Sequence, residues 1–159
     1  MTEKKQIIFI LCLAVFMAIL RSFLLEDPEF TLIKQERVLE EINSYSIPDD
    51  ISGPMMVNME FSKYHFDVGS AIFIDARDPE DYISGHIKNA INIPYDYYED
   101  YEDVIDSLNT SAVFVIYCSG EECSLSMDLA DYLFNELLFE RILIFEGGWP
   151  QWRDAEYPS

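Results

Sequence analysis

Residues 112–138 read AVFVIYCSGEECSLSMDLADYLFNELL. Three kinds of segment follow one another there. Residues 112–117 are apolar, rich in β-branched and aromatic side chains and without polar alternation, which predicts a strand covered on both faces of a parallel sheet. Cys118, Ser119, Gly120, Glu121, Glu122 and Cys123 are small or polar and predict a loop. From Ser124 onward Leu125, Leu129, Leu133 and Leu137 recur every fourth residue, flanked by Ala130, Phe134 and Leu138, which predicts a helix with one apolar stripe. Strand, loop and helix in direct succession are the repeating unit of an α/β fold.

Outward from this unit the pattern repeats. Residues 71–75 (AIFID) and 141–145 (RILIF) predict two more buried strands, residues 91–93 a shorter one and Met55-Met56-Val57 a first one. Residues 99–109 predict an acidic helix. Residues 55–159 therefore read as one α/β domain.

Residues 7–20 (IIFILCLAVFMAIL) carry no polar side chain. With its flanks the stretch reaches about 20 residues, or roughly 30 Å of helix, enough to span a bilayer. No small-residue cleavage site follows it, and Leu11 is too large to precede a lipidated Cys12, so residues 1–25 predict an uncleaved transmembrane anchor of a single-pass protein. Lys4 and Lys5 stand before the run, and Arg21, Lys34 and Arg37 after it. The near balance is decided by the first-helix preference, which puts the soluble domain on the extracytoplasmic side. Between anchor and domain, residues 26–54 predict a juxtamembrane helix (residues 32–45) and a linker broken by two prolines and a glycine.

The formal net charge is −20, and the N-terminal 25 residues are slightly basic, so the remainder of the chain holds all the negative excess. So acidic a body repels nucleic acid and small anions, which excludes nucleic acid as a partner. Three cysteines are too few for a disulfide framework, and with two histidines no structural metal site has a recognisable spacing; no metal and no cofactor are expected.

The candidate for chemistry is Cys118. A loop that wraps into a helix N-terminus points backbone N–H groups at a common centre, where a thiol ionises more readily and becomes nucleophilic. Position alone leaves open the alternative of an inert, buried cysteine at a strand end.

Four segments in order point further. Asp75-Ala76-Arg77-Asp78-Pro79-Glu80-Asp81-Tyr82 is followed by Gly85-His86-Ile87 and Ala90-Ile91-Asn92-Ile93-Pro94. After the Cys118 loop comes Glu146-Gly147-Gly148-Trp149-Pro150-Gln151-Trp152. The set resembles the rhodanese (sulfurtransferase) family over about 100 residues. The resemblance implies a five-stranded parallel sheet with helices on both faces, Cys118 as a nucleophile that accepts sulfane sulfur as a persulfide, and backbone amides of residues 119–124 cradling it. Arg77 matches a position that can approach substrate, or be held in an ion pair with Asp75. His86 is implied to be structural, Gly147-Gly148 a tight turn with positive φ, and Trp152 a core anchor.

The loop departs from the family in its sixth residue, where many members carry Arg and this chain has Cys123, and in Glu121 and Glu122. These carboxylates disfavour an anionic donor such as thiosulfate, so the expected partners are a neutral or protein-borne sulfane-sulfur donor and a thiol acceptor. Cys123 is also a candidate resolving thiol. Besides a membrane-tethered sulfurtransferase or persulfide carrier, the sequence thus admits a non-catalytic binding module and a dithiol redox protein. Phosphatase chemistry is excluded by a loop too short and lacking Arg.

Overall fold

The computed structural model describes residues 51–120 and 123–159, residues 45–48, the backbone of 41–42, and positions 6, 13, 15 and 17. The chain divides into two units, Met1–Val38 and Leu39–Ser159. In the first, Gln6, Leu13, Val15 and Met17 are helical, and the last three side chains are exposed. The rest of the expected anchor (residues 1–25) and most of the expected juxtamembrane helix lie outside the described residues. Among the described residues no helix is long and apolar enough to cross a membrane.

The second unit is built on a parallel sheet of strands β1 (Glu41–Ile42), β2 (Met55–Val57), β3 (Ile72–Asp75), β4 (Ile91–Asn92), β5 (Val113–Tyr117) and β6 (Arg141–Phe145). Their order across the sheet is β1-β2-β6-β5-β3-β4. The five strands expected from sequence are all present. The sixth, β1, is a correction: Glu41 and Ile42 were expected in a helix and instead pair with Met56 and Val57. Without them the outer edge of β2 would be left with unpaired N–H and C=O groups.

Helix α1 (Met59–Val68) was not anticipated. Asn58 caps it, its Oδ1 accepting from the Phe61 N–H at 2.9 Å, and Gly69 ends it at φ +66°. Helix α2 (Pro79–Ser84) starts on a proline, whose missing N–H costs nothing there. The expected acidic helix at 99–109 is shorter: a 3₁₀ segment, Tyr95–Tyr101, leads into α3 (Glu102–Asp106). Tyr98, whose ring centroid lies 4.3 Å from that of Tyr132, holds the tighter turn against the core. Helix α4 (Leu125–Asp131) widens into a π-helical stretch, Tyr132–Glu136. Leu138, expected to extend its stripe, lies beyond the helix end at φ +57° and is 74% exposed. Helix α5 (Gly148–Asp154) completes the unit.

All five residues of β5 are buried, as a central strand covered on both faces requires. Successive side chains alternate between the two faces. Val113, Val115 and Tyr117 pack with Phe61, Phe73, Phe145 and Trp152, whereas Phe114 and Ile116 pack with Ile142, Leu129 and Leu133 beneath α4. Trp152 is fully buried, its indole N–H donating to the Pro158 carbonyl at 3.0 Å, which makes it the expected anchor.

Candidate active site

The loop that follows β5 leaves the carboxyl end of a strand flanked by β3 and β6, where open parallel sheets present their ligands. Gly120, at φ +113°, reverses the chain, and the Cys123 N–H closes the turn on the Gly120 carbonyl at 2.9 Å. Ser124 lies just before α4, its carbonyl accepting from the Asp128 N–H at 2.9 Å. Glu121 and Glu122 lie outside the described residues.

Strand parity decides where the first thiol goes. Cys118 continues the set of Phe114 and Ile116, so its side chain enters the core beneath α4 and is 2% exposed. Its Sγ lies 3.3 Å from the Cys123 carbonyl oxygen, 3.9 Å from that of Gly120 and 3.4 Å from Ser126 Oγ. Two of these three neighbours can only accept a hydrogen bond, so they favour a protonated thiol. The hydrogen bond it donates to Cys123 and its burial both push the Cys118 thiol far up from its ordinary range.

The second thiol of the loop stands in a different setting. Cys123, half-buried, receives the hydrogen bond from Cys118 and those of the Ser119, Leu125 and Ser126 backbone N–H groups, and these bring its thiol down to about 6 against the opposing cost of desolvation. Cys123 also lines an open cleft of about 700 Å³, together with Ser119 and Gly120 on the loop and Gly147, Pro150, Gln151 and Asp154 facing them. Cys118 is not part of that lining.

The turn before α5 supports the loop from below. The Trp149 N–H donates to the Cys118 carbonyl at 2.9 Å. Gly148 takes φ +56°, the positive φ expected of this pair, whereas Gly147 is an ordinary helical residue at φ −61°.

Arg77 does not approach the cleft. Its Nε and Nη2 donate to Asp75 Oδ1 and Oδ2 at 2.9 and 2.6 Å, and Nη2 also to the Gly85 carbonyl at 2.7 Å. Burial works against its charge, but the hydrogen bond and charge of Asp75 prevail and raise its pKa. Of the two roles expected of Arg77, the structure shows the ion pair with Asp75. Asn92 braces the same turn, donating to the Asp75 and Arg77 carbonyls at 3.0 and 2.9 Å. His86 stacks on Tyr82 and bonds the Tyr82 carbonyl oxygen at 2.8 Å, the structural role expected of it.

Sequence reasoning missed Ser126. The signal was present: Ser126 and Ala130 are one helical turn apart on the flank of the leucine stripe, so a hydroxyl there had to meet a buried polar partner.

Residues 60–155 match the family model described as Rhodanese-like domain. Among solved structures, a Bacillus halodurans protein is similar at 28% identity, with a TM-score of 0.56 over 67% of this chain and 74% of that one. The rhodanese-like domain of an Anabaena sp. protein, solved by NMR, is similar at 25% identity, with a TM-score of 0.52 over 64% and 74% of the two chains. A rhodanese-related protein from Thermoplasma volcanium, at 22% identity and a TM-score of 0.51 over 65% and 94%, shares the fold.

Proposed function

The chain belongs to the rhodanese-like domain family, and on that premise we propose that it is a sulfurtransferase: its loop takes sulfane sulfur from a donor, holds it as a cysteine persulfide, and yields it to a thiol. Cys118 and Cys123 are the reacting thiols of this reading. The observation that carries it is the pair of cysteines in the loop at the carboxyl end of a central strand, the Cys118 Sγ lying 3.3 Å from the Cys123 carbonyl oxygen and Cys123 lining an open cleft. Splitting the transfer into two displacements at sulfur is what a thiolate beside a cleft can do without cofactor or metal.

The donor in this reading is neutral or protein-borne. The net charge of −20 and the two carboxylates between the thiols in sequence support that choice, since both oppose the approach of a dianion. The domain is tethered to a membrane through residues 1–25 and faces the extracytoplasmic side. The apolar run at 7–20 supports the tether, and the first-helix preference supports the side. The nearness of Cys118 to Cys123, its Sγ 3.3 Å from the Cys123 carbonyl oxygen, also favours a second reading, a dithiol that exchanges disulfides with a partner protein.

The test is consumption of polysulfide by the reduced full-length protein in the presence of a thiol. Wild type consumes it, and the double variant Cys118→Ser/Cys123→Ser does not. Equal consumption by the double variant would remove sulfane-sulfur chemistry from this loop.

A further inference from the structure

A cleft that ends at a thiol loop selects its visitors by the charge on its walls. The loop wall here is neutral apart from what its thiols carry, and the opposite wall is set by α5. Gly147, Gln151 and Asp154 recur at spacings of four and three, so they form one stripe of that helix facing the loop, with Pro150 beside them. Among the described residues of the lining, Asp154 is the one fixed charge. Arg77 is held on Asp75, and the sixth loop position carries Cys123 where a cation would otherwise stand. An incoming molecule therefore meets a carboxylate and, among the described residues, no opposing cation on the walls.

Three features keep that carboxylate negative toward the cleft. Arg153 pairs with it, but Nε and Nη2 both donate to Oδ1, at 2.9 and 2.7 Å, and among the described residues Oδ2 has no partner. The Arg153 and Asp154 side chains are 59% and 68% exposed, so their pair is weak and Asp154 can take a second cation. Asp154 is also the last residue of α5, where the helix dipole places its negative end. Glu121 and Glu122, beside Cys123 in sequence, add charge of the same sign.

We propose that Asp154 is a specificity-determining residue of this cleft, and that the thiol which takes sulfur from the loop is a small aminothiol, its ammonium group a few bonds from its sulfur. This rests on the sulfane-sulfur reading and names the class of acceptor. The ammonium is held by Asp154 while the thiolate attacks the outer sulfur of the loop persulfide. The sulfur–sulfur bond of that persulfide breaks, the loop cysteine leaves as a thiolate, and the aminothiol departs as its own persulfide. Sulfane sulfur passes from one thiol to another, so no outside oxidant or reductant is consumed. A cleft of about 700 Å³ has room for such a molecule. An anionic acceptor meets like charge along the same path.

The experiment loads the reduced full-length protein with polysulfide, removes the excess, and follows unloading by cysteamine, 2-mercaptoethanol or 3-mercaptopropionate. Mass analysis reads the sulfur left on the protein, and varying each thiol separates half-saturation from maximal rate. Each charged thiol is expressed as a ratio to the neutral one, and comparing ratios between variants cancels the thiols' own basicities. In Asp154→Asn the cysteamine ratio should fall roughly three- to tenfold and the mercaptopropionate ratio should rise, both through half-saturation. Arg153→Gln should move both ratios the opposite way, and about 0.5 M salt should compress them in wild type. Thermal unfolding of each variant checks the fold. An Asp154→Asn protein whose ratios stay within about twofold of wild type, or which loses the same factor with all the thiols, would overturn the role of Asp154 while sulfane-sulfur loading stands. A wild type that takes up no sulfur would overturn the sulfur-transfer reading and this inference together.

Discussion

Gly148 and Cys118 meet backbone to backbone: a β-carbon on Gly148 would overlap the Cys118 carbonyl oxygen and stand 2.8 Å from the Gly120 nitrogen. The same carbonyl accepts the Trp149 N–H at 2.9 Å, so the thiol loop rests on a turn that has no room for a side chain. The position also needs φ +56°, which a β-carbon disfavours by about 1 kcal/mol.

Gly148→Ala should therefore cost about 2–4 kcal/mol, the left-handed strain plus overpacking against backbone that cannot give way. Gly147→Ala should cost less than about 1 kcal/mol, because at φ −61° the only clash is with the exposed, flexible Gln151 side chain. Urea denaturation of both variants checks the contrast, and equal losses would contradict it.

Arg77→Leu should destabilise the domain by about 3–5 kcal/mol, since it strands the fully buried Asp75 carboxylate. Arg77→Leu/Asp75→Leu should recover much of the loss. Were Arg77 a substrate contact, Arg77→Leu would instead weaken sulfur transfer at unchanged stability. Parallel denaturation and kinetic measurements separate the outcomes.

The pH dependence of alkylation reads the two thiols. Cys123 is held down to about 6, so its reaction with iodoacetamide should rise through that pH and level off above it, because the thiolate is the reactive form. Cys118, held protonated, should stay slow across the neutral range. In Cys118→Ala the chief cause of the lowering is gone, and the Cys123 midpoint should move upward. An unchanged midpoint would show that the amides alone set it.

How much of this was legible is clearest along β5. Its uninterrupted apolar run announced a central strand, and the leucines of α4 announced the helix that covers it. The strand also held the fate of Cys118: residues 114, 116 and 118 share one face, and that face lies under α4. What could not be read was that Cys123, rather than Cys118, lines the cleft, because the turn at Gly120 depends on how the β6–α5 turn supports it. Edge strand β1 was illegible for a related reason. Residues 32–45 carry a helical stripe, and only the bare edge of β2, a feature of the assembled sheet, draws Glu41 and Ile42 into a ladder. Arg77 was legible as a pair with Asp75 but not as excluded from the cleft.

Leu138 gives a prediction of opposite sign. It follows the end of α4 at φ +57°, where helices commonly place glycine, and the next residue, Phe139, returns its N–H to the Leu133 carbonyl at 3.0 Å. Its side chain is exposed and contributes little packing. Leu138→Gly should stabilise the domain by roughly 0.5–1 kcal/mol, the relieved strain outweighing the greater entropy of the unfolded chain. Thermal unfolding would show it as an upward shift of the midpoint.

The hydrogen bond from Trp149 to Cys118 gives the chain an optical handle. Only two indoles are present: Trp149, joined through its amide to the residue bearing the enclosed thiol, and Trp152, sealed in the core against Phe66. Any rearrangement of the loop backbone displaces one fluorophore relative to its quenchers and leaves the other as an internal standard, so turnover can be followed by emission without attaching a dye.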